Sequence, residues 1–263
     1  MRPETEIAIR AARLAQKIAD SRRGAQTVTS KGGIDLVTDA DIACEDAIRL
    51  ELLRGFPDYP VVGEERGGSP QDGKPYWLVD PICGTRNYAS NIPLYCTNIA
   101  LVEDGEVSVG VVGVGMTGEV LYSDRQSGAR LLRGNEDLPI RVDDSSNAVW
   151  FDGKTEQAAD VVRRALLLRK WYVVQFPSSL AYAYVACGKL AGVVQFSGPK
   201  QTGREYGSVH AAAGCFVARE AGAVVRNAED GRPWDLATSS FVIAASEGVY
   251  AEIAGILAPL QGA

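Results

Sequence analysis

Apolar residues return at helical spacing between charges near the start of the chain. Ile7, Ile9, Ala12, Leu14, Ala15 and Ile18 predict an amphipathic helix over 4–22. A second helix is predicted over 41–54, with Ile42, Ile48, Leu52 and Leu53 as its buried stripe and Gly55-Phe56-Pro57 as its stop. The short apolar runs from Tyr59 to Gly63 and from Tyr76 to Val79 read as strands that end in acids. Further runs over 97–102, 107–114 and 119–122, separated by Glu103-Asp104-Gly105-Glu106 and Thr117-Gly118, have the pattern of antiparallel strands joined by tight turns.

The polar stretch from Arg133 to Asn147 is the expected boundary between two halves. Beyond it, 148–151, 156–169, 171–175, 179–187 and 192–196 alternate as β-α-β-α-β. The expected organisation is an α+β part over residues 1–145 followed by an α/β part over 146–263.

Composition narrows the function classes. With 46% hydrophobic and 23% charged residues, the 263-residue chain can bury a large core and resembles neither disordered nor fibrous sequences. A formal charge of -6 argues against a nucleic-acid backbone as main partner, since that binding needs clustered Lys and Arg. Cys44, Cys83, Cys96, Cys187 and Cys215 are odd in number and lack CxxC spacing, so reduced thiols and a cytoplasmic setting are expected. The first twenty residues carry charges throughout, unlike a signal peptide, and no uncharged apolar run reaches membrane-spanning length.

Three acidic elements fall at element ends: Asp41, the pair Glu64-Glu65, and Asp80. Asp80 leads into Pro81-Ile82-Cys83-Gly84-Thr85, where Pro restricts the backbone and Gly84-Thr85 can open a helix. Free N–H groups at a helix start suit a phosphate, and hard oxygen donors beside them suit Mg²⁺. The plain alternative is an N-capped helix with solvated acids nearby.

Gly63-Glu64-Glu65, the run Trp77 to Tyr88 and Asp35-Leu36-Val37-Thr38-x-x-Asp41 resemble the N-terminal signatures of the inositol monophosphatase superfamily. Ala212-Ala213-Gly214 with Glu220-Ala221-Gly222 resembles its C-terminal signature, and Phe241 to Ser246 its final strand. The resemblance implies an α/β fold, the layered α-β-α-β-α sandwich shared with fructose-1,6-bisphosphatase, and a homodimer acting on a small phosphorylated metabolite. It places most metal and phosphate ligands in residues 1–145 and substrate-side residues in 146–263. In such a family member Glu64, Asp80 and the Ile82 carbonyl would bind a first Mg²⁺, and Glu64 would also touch a third, weaker ion. Asp41 and Thr85 would activate the attacking water, while the amides of Gly84 and Thr85 would hold phosphate.

The pattern breaks twice. Cys83 stands where the family motif has Asp after Asp-Pro-Ile, and His210, the chain's one histidine, stands where Trp-Asp-x-Ala-Ala-Gly has its Asp. Both replaced aspartates would share the second ion with Asp80, so both changes strike one ion. Standard two-metal hydrolysis should therefore be impaired.

Three readings stay open for the pair. A softer ion such as Zn²⁺ could be bound by Asp80, Cys83 and His210. Alternatively, His210 could act as general acid or base beside a low-pKa Cys83 without metal, or the site could bind a phosphate ester without hydrolysing it. Each residue taken singly also has a plain reading, as a buried thiol and a hydrogen-bonded helix residue. The leading expectation is a metal-dependent phosphomonoesterase for a small phosphorylated polyol, sugar or nucleotide. Its alternatives are a phosphate-eliminating or cyclising enzyme and a non-catalytic binder. On the substrate side, Ser178 and Ser179 could cap a helix or bind substrate, Lys200 and Arg204 could meet a second anion, and Glu205 could meet a hydroxyl.

Overall fold

A computed structural model describes residues 1–32, 35–151, 156–196 and 206–258. Two helices open the chain, α1 (Pro3–Arg22) and α2 (Asp39–Gly55), with a hairpin of β1 (Val28–Gly32) and β2 (Asp35–Thr38) between them. The buried stripe of α2 is Ala40, Cys44, Ile48 and Leu52, a strict four-residue repeat, whereas Leu53 is 39% exposed. That corrects the expected stripe: Leu53 lies one residue, about 100°, off the line.

A seven-stranded sheet follows, in the order β3 (Val61–Gly63), β4 (Tyr76–Cys83), β5 (Cys96–Glu103), β6 (Glu106–Val114), β7 (Val120–Asp124), β8 (Gly128–Arg133) and β9 (Glu136–Pro139). Only β3 and β4 pair in parallel. The polar stretch expected as a boundary therefore holds a strand. All four residues of β9 are exposed, and an exposed edge strand carries no alternating apolar signal.

The second sheet runs β11 (Tyr172–Val174), β10 (Ala148–Phe151), β12 (Gly192–Gln195), β14 (Phe241–Ala244), β13 (Val224–Asn227). The β-α-β-α-β stretch makes its parallel half, and β14 joins antiparallel. Its helices are α4 (Glu156–Leu167), α5 (Ser178–Ala186), α6 (Tyr206–Glu220) and α7 (Glu247–Leu257).

Apolar faces stack these elements into layers. One buried cluster joins α1 and α2 to the first sheet through Ile48, Trp77 and Ile99. The central cluster joins the opposite face of that sheet to α5, α6 and the second sheet through Leu78, Phe216 and Ile243. A third joins the second sheet to α4 and α7 through Phe151, Val161 and Ile253. The result is an α-β-α-β-α sandwich. Among the described residues no helix is long and apolar enough to cross a membrane.

The central layer is thin at one point. A Cβ on Gly110 of β6 would lie 2.8 Å from the Ala213 carbonyl of α6 and 3.1 Å from Phe216 Cδ1. Small residues there let α6 lie directly on the first sheet, which carries His210 to the end of β4. Gly110→Val is expected to push α6 outward and destabilise the protein by about 1–3 kcal/mol, measured by denaturant unfolding.

A polar clamp ties the start of α1 to β7. Asp124 is fully buried and accepts hydrogen bonds from Thr5 Oγ1 (2.8 Å) and from the amides of Arg2 (3.2 Å), Gln126 (2.9 Å) and Ser127 (2.6 Å). Burial alone would raise its pKa, but these donors outweigh burial and hold it at about 2. A depressed carboxyl pKa stabilises the fold above pH ~4 and loses that contribution as pH falls through about 2. Asp124→Asn is therefore expected to cost about 2–3 kcal/mol at neutral pH, with the gap from the natural protein closing on acidification. Unfolding curves at several pH values check this.

Candidate active site

Thr38, the last residue of β2, caps α2. Its hydroxyl accepts from the Asp41 amide, and Asp41 Oδ2 accepts from the Thr38 amide at 2.8 Å and from the Thr38 hydroxyl. Asp41 Oδ1 is left to accept from Thr85 Oγ1 at 3.0 Å. Burial raises Asp41 to about 6, against the hydrogen bonds from Thr38 and Thr85, with the Glu64 charge adding to the rise.

One turn further along α2, buried Glu45 accepts from the amides of Glu65 (2.7 Å) and Arg66 (3.0 Å). This fixes the turn after β3 that presents Glu64. Lys31 of β1 reaches across to Glu65 at 2.6 Å and Glu64 at 3.8 Å. Burial pushes Glu65 up to about 7, although Lys31 opposes the shift. The sequence reading missed both Glu45 and Lys31. The four-residue step from Asp41 to Glu45 was the available sign of a shared helix face, while nothing local marked Lys31.

Asp80 is wholly buried on β4, which runs on through Pro81 to Cys83 with a register shift. Its Oδ2 lies 2.6 Å from His210 Nδ1 and 3.4 Å from Asn98 Nδ2, while its Oδ1 has no hydrogen-bond partner among the described residues. Burial, then the Cys83 and Glu64 charges, push the Asp80 carboxyl up, and His210 pulls it back. For His210 burial acts downward but is outweighed by Asp80, Cys83 and Glu64, so the imidazole keeps its proton well above the ordinary histidine range.

The ligating atoms of Asp80, Cys83 and His210 all lie within 4.8 Å of one another. Hydrogen bonding with Cys96 is the largest influence on the Cys83 thiol; together with His210 it overcomes burial and holds that thiol well below its usual pKa. Ser179 is fully buried and donates its one hydroxyl proton to the His210 carbonyl at 2.6 Å, which leaves its oxygen, 3.0 Å from the Cys83 sulfur, to accept from that thiol. That corrects its expected role: the helix cap is Pro177, and the Ser179 hydroxyl braces Cys83 and α6 instead of meeting solvent or capping. Ser178 is the first residue of α5 and also makes no side-chain cap.

Gly84, with φ of +101°, turns the chain into the short helix α3 (Thr85–Ala89) and packs against Pro177, a conformation L side chains rarely adopt. Thr85 Oγ1 also lies 3.0 Å from the Ile82 carbonyl. Lys200, Arg204 and Glu205 lie outside the described residues.

Two donor sets thus adjoin. Glu64, the free Oδ1 of Asp80 and the Ile82 carbonyl, which has a second lone pair, are hard oxygens and fit Mg²⁺. The set of Asp80, Cys83 and His210 does not fit Mg²⁺; thiol and imidazole suit a borderline ion such as Zn²⁺.

The model of the inositol monophosphatase family matches residues 1–261. The Nus factor SuhB of Haemophilus influenzae is 30% identical over 284 aligned positions, covering 100% of this chain and 98% of that protein. The fructose-1,6-bisphosphatase/inositol-1-monophosphatase of Thermotoga maritima is 30% identical over 198 positions, covering 73% and 71%. Among solved structures, the extragenic suppressor protein suhB of Bartonella henselae superposes with a TM-score of 0.84 at 23% identity, covering 97% of this chain and 98% of that one, which shows the shared fold. The chain belongs to the inositol monophosphatase family.

Proposed function

We propose that this chain is a metal-dependent phosphomonoesterase-type enzyme for a small phosphorylated polyol, sugar or nucleotide, with one conventional ion position and one altered position. The observation that carries the reading is the buried Oδ1 of Asp80, an acceptor with no hydrogen-bond partner among the described residues, on a carboxyl close enough to Glu64 to feel its charge. Leaving such an oxygen dry and unpaired costs several kcal/mol unless a ligand fills the gap. A divalent ion bound there would polarise a phosphoryl oxygen and acidify bound water.

The remaining residues then have separable tasks. Thr85 can donate its single hydroxyl proton to Asp41 while its lone pair accepts from a water, so Asp41 and Thr85 orient the nucleophile. The first turn of α3, with Gly84 and Thr85, offers amides to phosphate oxygens. At the altered position the Asp80–His210 pair either turns its donors to a thiophilic ion or remains a hydrogen-bonded pair that can supply a proton to the leaving oxygen.

Asp41 must be ionised to accept the Thr85 proton. With its pKa raised to about 6, phosphate release is expected to rise as pH increases toward and through 6, and the limb moves lower with a cation bound. Asp41→Asn is expected to lower kcat by about 10²–10⁴-fold and to flatten that limb. A pH profile on a panel of phosphorylated metabolites, with thermal unfolding as the control for folding, checks both.

The altered position is tested by metal analysis. The purified protein is expected to hold a thiophilic ion that Cys83→Ser releases, and the double substitution Cys83→Asp, His210→Asp is expected to shift the preference to Mg²⁺ and increase phosphate release. Weak Mg²⁺ binding alone in the natural protein would remove the soft-ion reading. Unchanged activity in His210→Ala would remove the catalytic one.

A further inference from the structure

Cys83 has a neighbour that the phosphatase reading does not use. The Asp80–Asn98 register, continued along β4 and β5, would set Cys83 opposite Tyr95, but the register shift at this point sets it opposite Cys96. Residues directly opposite in an antiparallel pair point to the same face, with Cα atoms about 4.5–5.5 Å apart, which falls inside the about 4.4–6.8 Å range of disulfides. Both sulfurs belong to the central apolar cluster. Cys83 is 7% exposed and Cys96 is fully buried.

We propose that Cys83 and Cys96 form a reversible oxidation site, a cross-strand dithiol that peroxide converts to a disulfide. The Cys83 sulfur, 3.0 Å from Ser179 Oγ and within 4.8 Å of a His210 ring nitrogen, attacks hydrogen peroxide. An S–O bond forms, the O–O bond breaks and hydroxide leaves, to take the proton that the thiol gave up. The Cys96 sulfur then attacks the sulfenic acid; the S–S bond forms, the S–O bond breaks, and the Cys96 proton departs with hydroxide as the second water. Two thiols are oxidised by two electrons and one peroxide is reduced to two waters.

Formation of this bond would withdraw the sulfur from His210 and from the soft donor set. The consequence for turnover rests on the phosphomonoesterase reading; the crosslink itself does not. Exposure alone would select a different cysteine, because Cys187 is half-buried while the other four are buried.

The test is peptide mapping of the full-length, chelator-treated protein after a few equivalents of hydrogen peroxide and alkylation. Trypsin cuts at Arg86, between the two cysteines. Loss of two of the five thiols is expected, with a linked peptide pair containing Cys83 and Cys96 that dithiothreitol separates. In Cys96→Ala the reaction is expected to stop at a dimedone-trapped sulfenic acid on Cys83. Oxidation of Cys187 ahead of Cys83, over-oxidised Cys83 beside a free Cys96, or five thiols still alkylated would each overturn the proposal, and these readouts on the natural protein do not depend on any variant folding. A crosslink that leaves phosphate release unaltered would remove the Cys83 sulfur from the phosphatase chemistry and leave the oxidation site standing.

Discussion

A carboxylate without water is the constraint around which this molecule is arranged. Asp80 sits on β4 with no exposure, and an isolated ionised carboxylate in that position would cost several kcal/mol. The 2.6 Å contact with His210 offsets part of that cost, and it does so from another layer, since His210 rides on α6. The close seat of α6 on the first sheet, at Gly110 and Ala213, is what brings the imidazole within reach.

The acidic groups around Asp80 are positioned by the same economy of helix spacing. Asp41 and Glu45 lie one turn apart on α2, one held by the Thr38 cap and the other holding the turn that carries Glu64. Lys31 on the preceding hairpin moderates the negative charge that Glu64 and Glu65 would otherwise accumulate. Rigid elements fix each carboxylate, so side-chain drift does little to relieve their repulsion.

Sulfur and nitrogen stand beside Asp80 without loosening its packing. Cys83 is tied to Ser179, which is tied to the His210 carbonyl, so the altered pair is built into the contact between α5 and α6. Thiol and imidazole also add redox and proton chemistry that two aspartates lack.

The periodicity of the chain was enough to specify most elements: the helices over 4–22 and 41–54, the antiparallel strands and the β-α-β-α-β stretch all follow from apolar spacing. The ordered signatures also carried the family, and the resemblance they bear, more than spacing, named Asp41, Glu64, Asp80, Cys83, Thr85 and His210 as candidates. Exposed strands such as β1 and β9 escaped, since neither face is buried and no alternation is required. Tertiary structure alone decided that Ser179 turns inward, that Glu45 and Lys31 serve the site, and that a register shift sets Cys96 against Cys83. Those facts depend on how distant segments meet in space, and local spacing holds no record of the distance between residues 83 and 179 or 80 and 210.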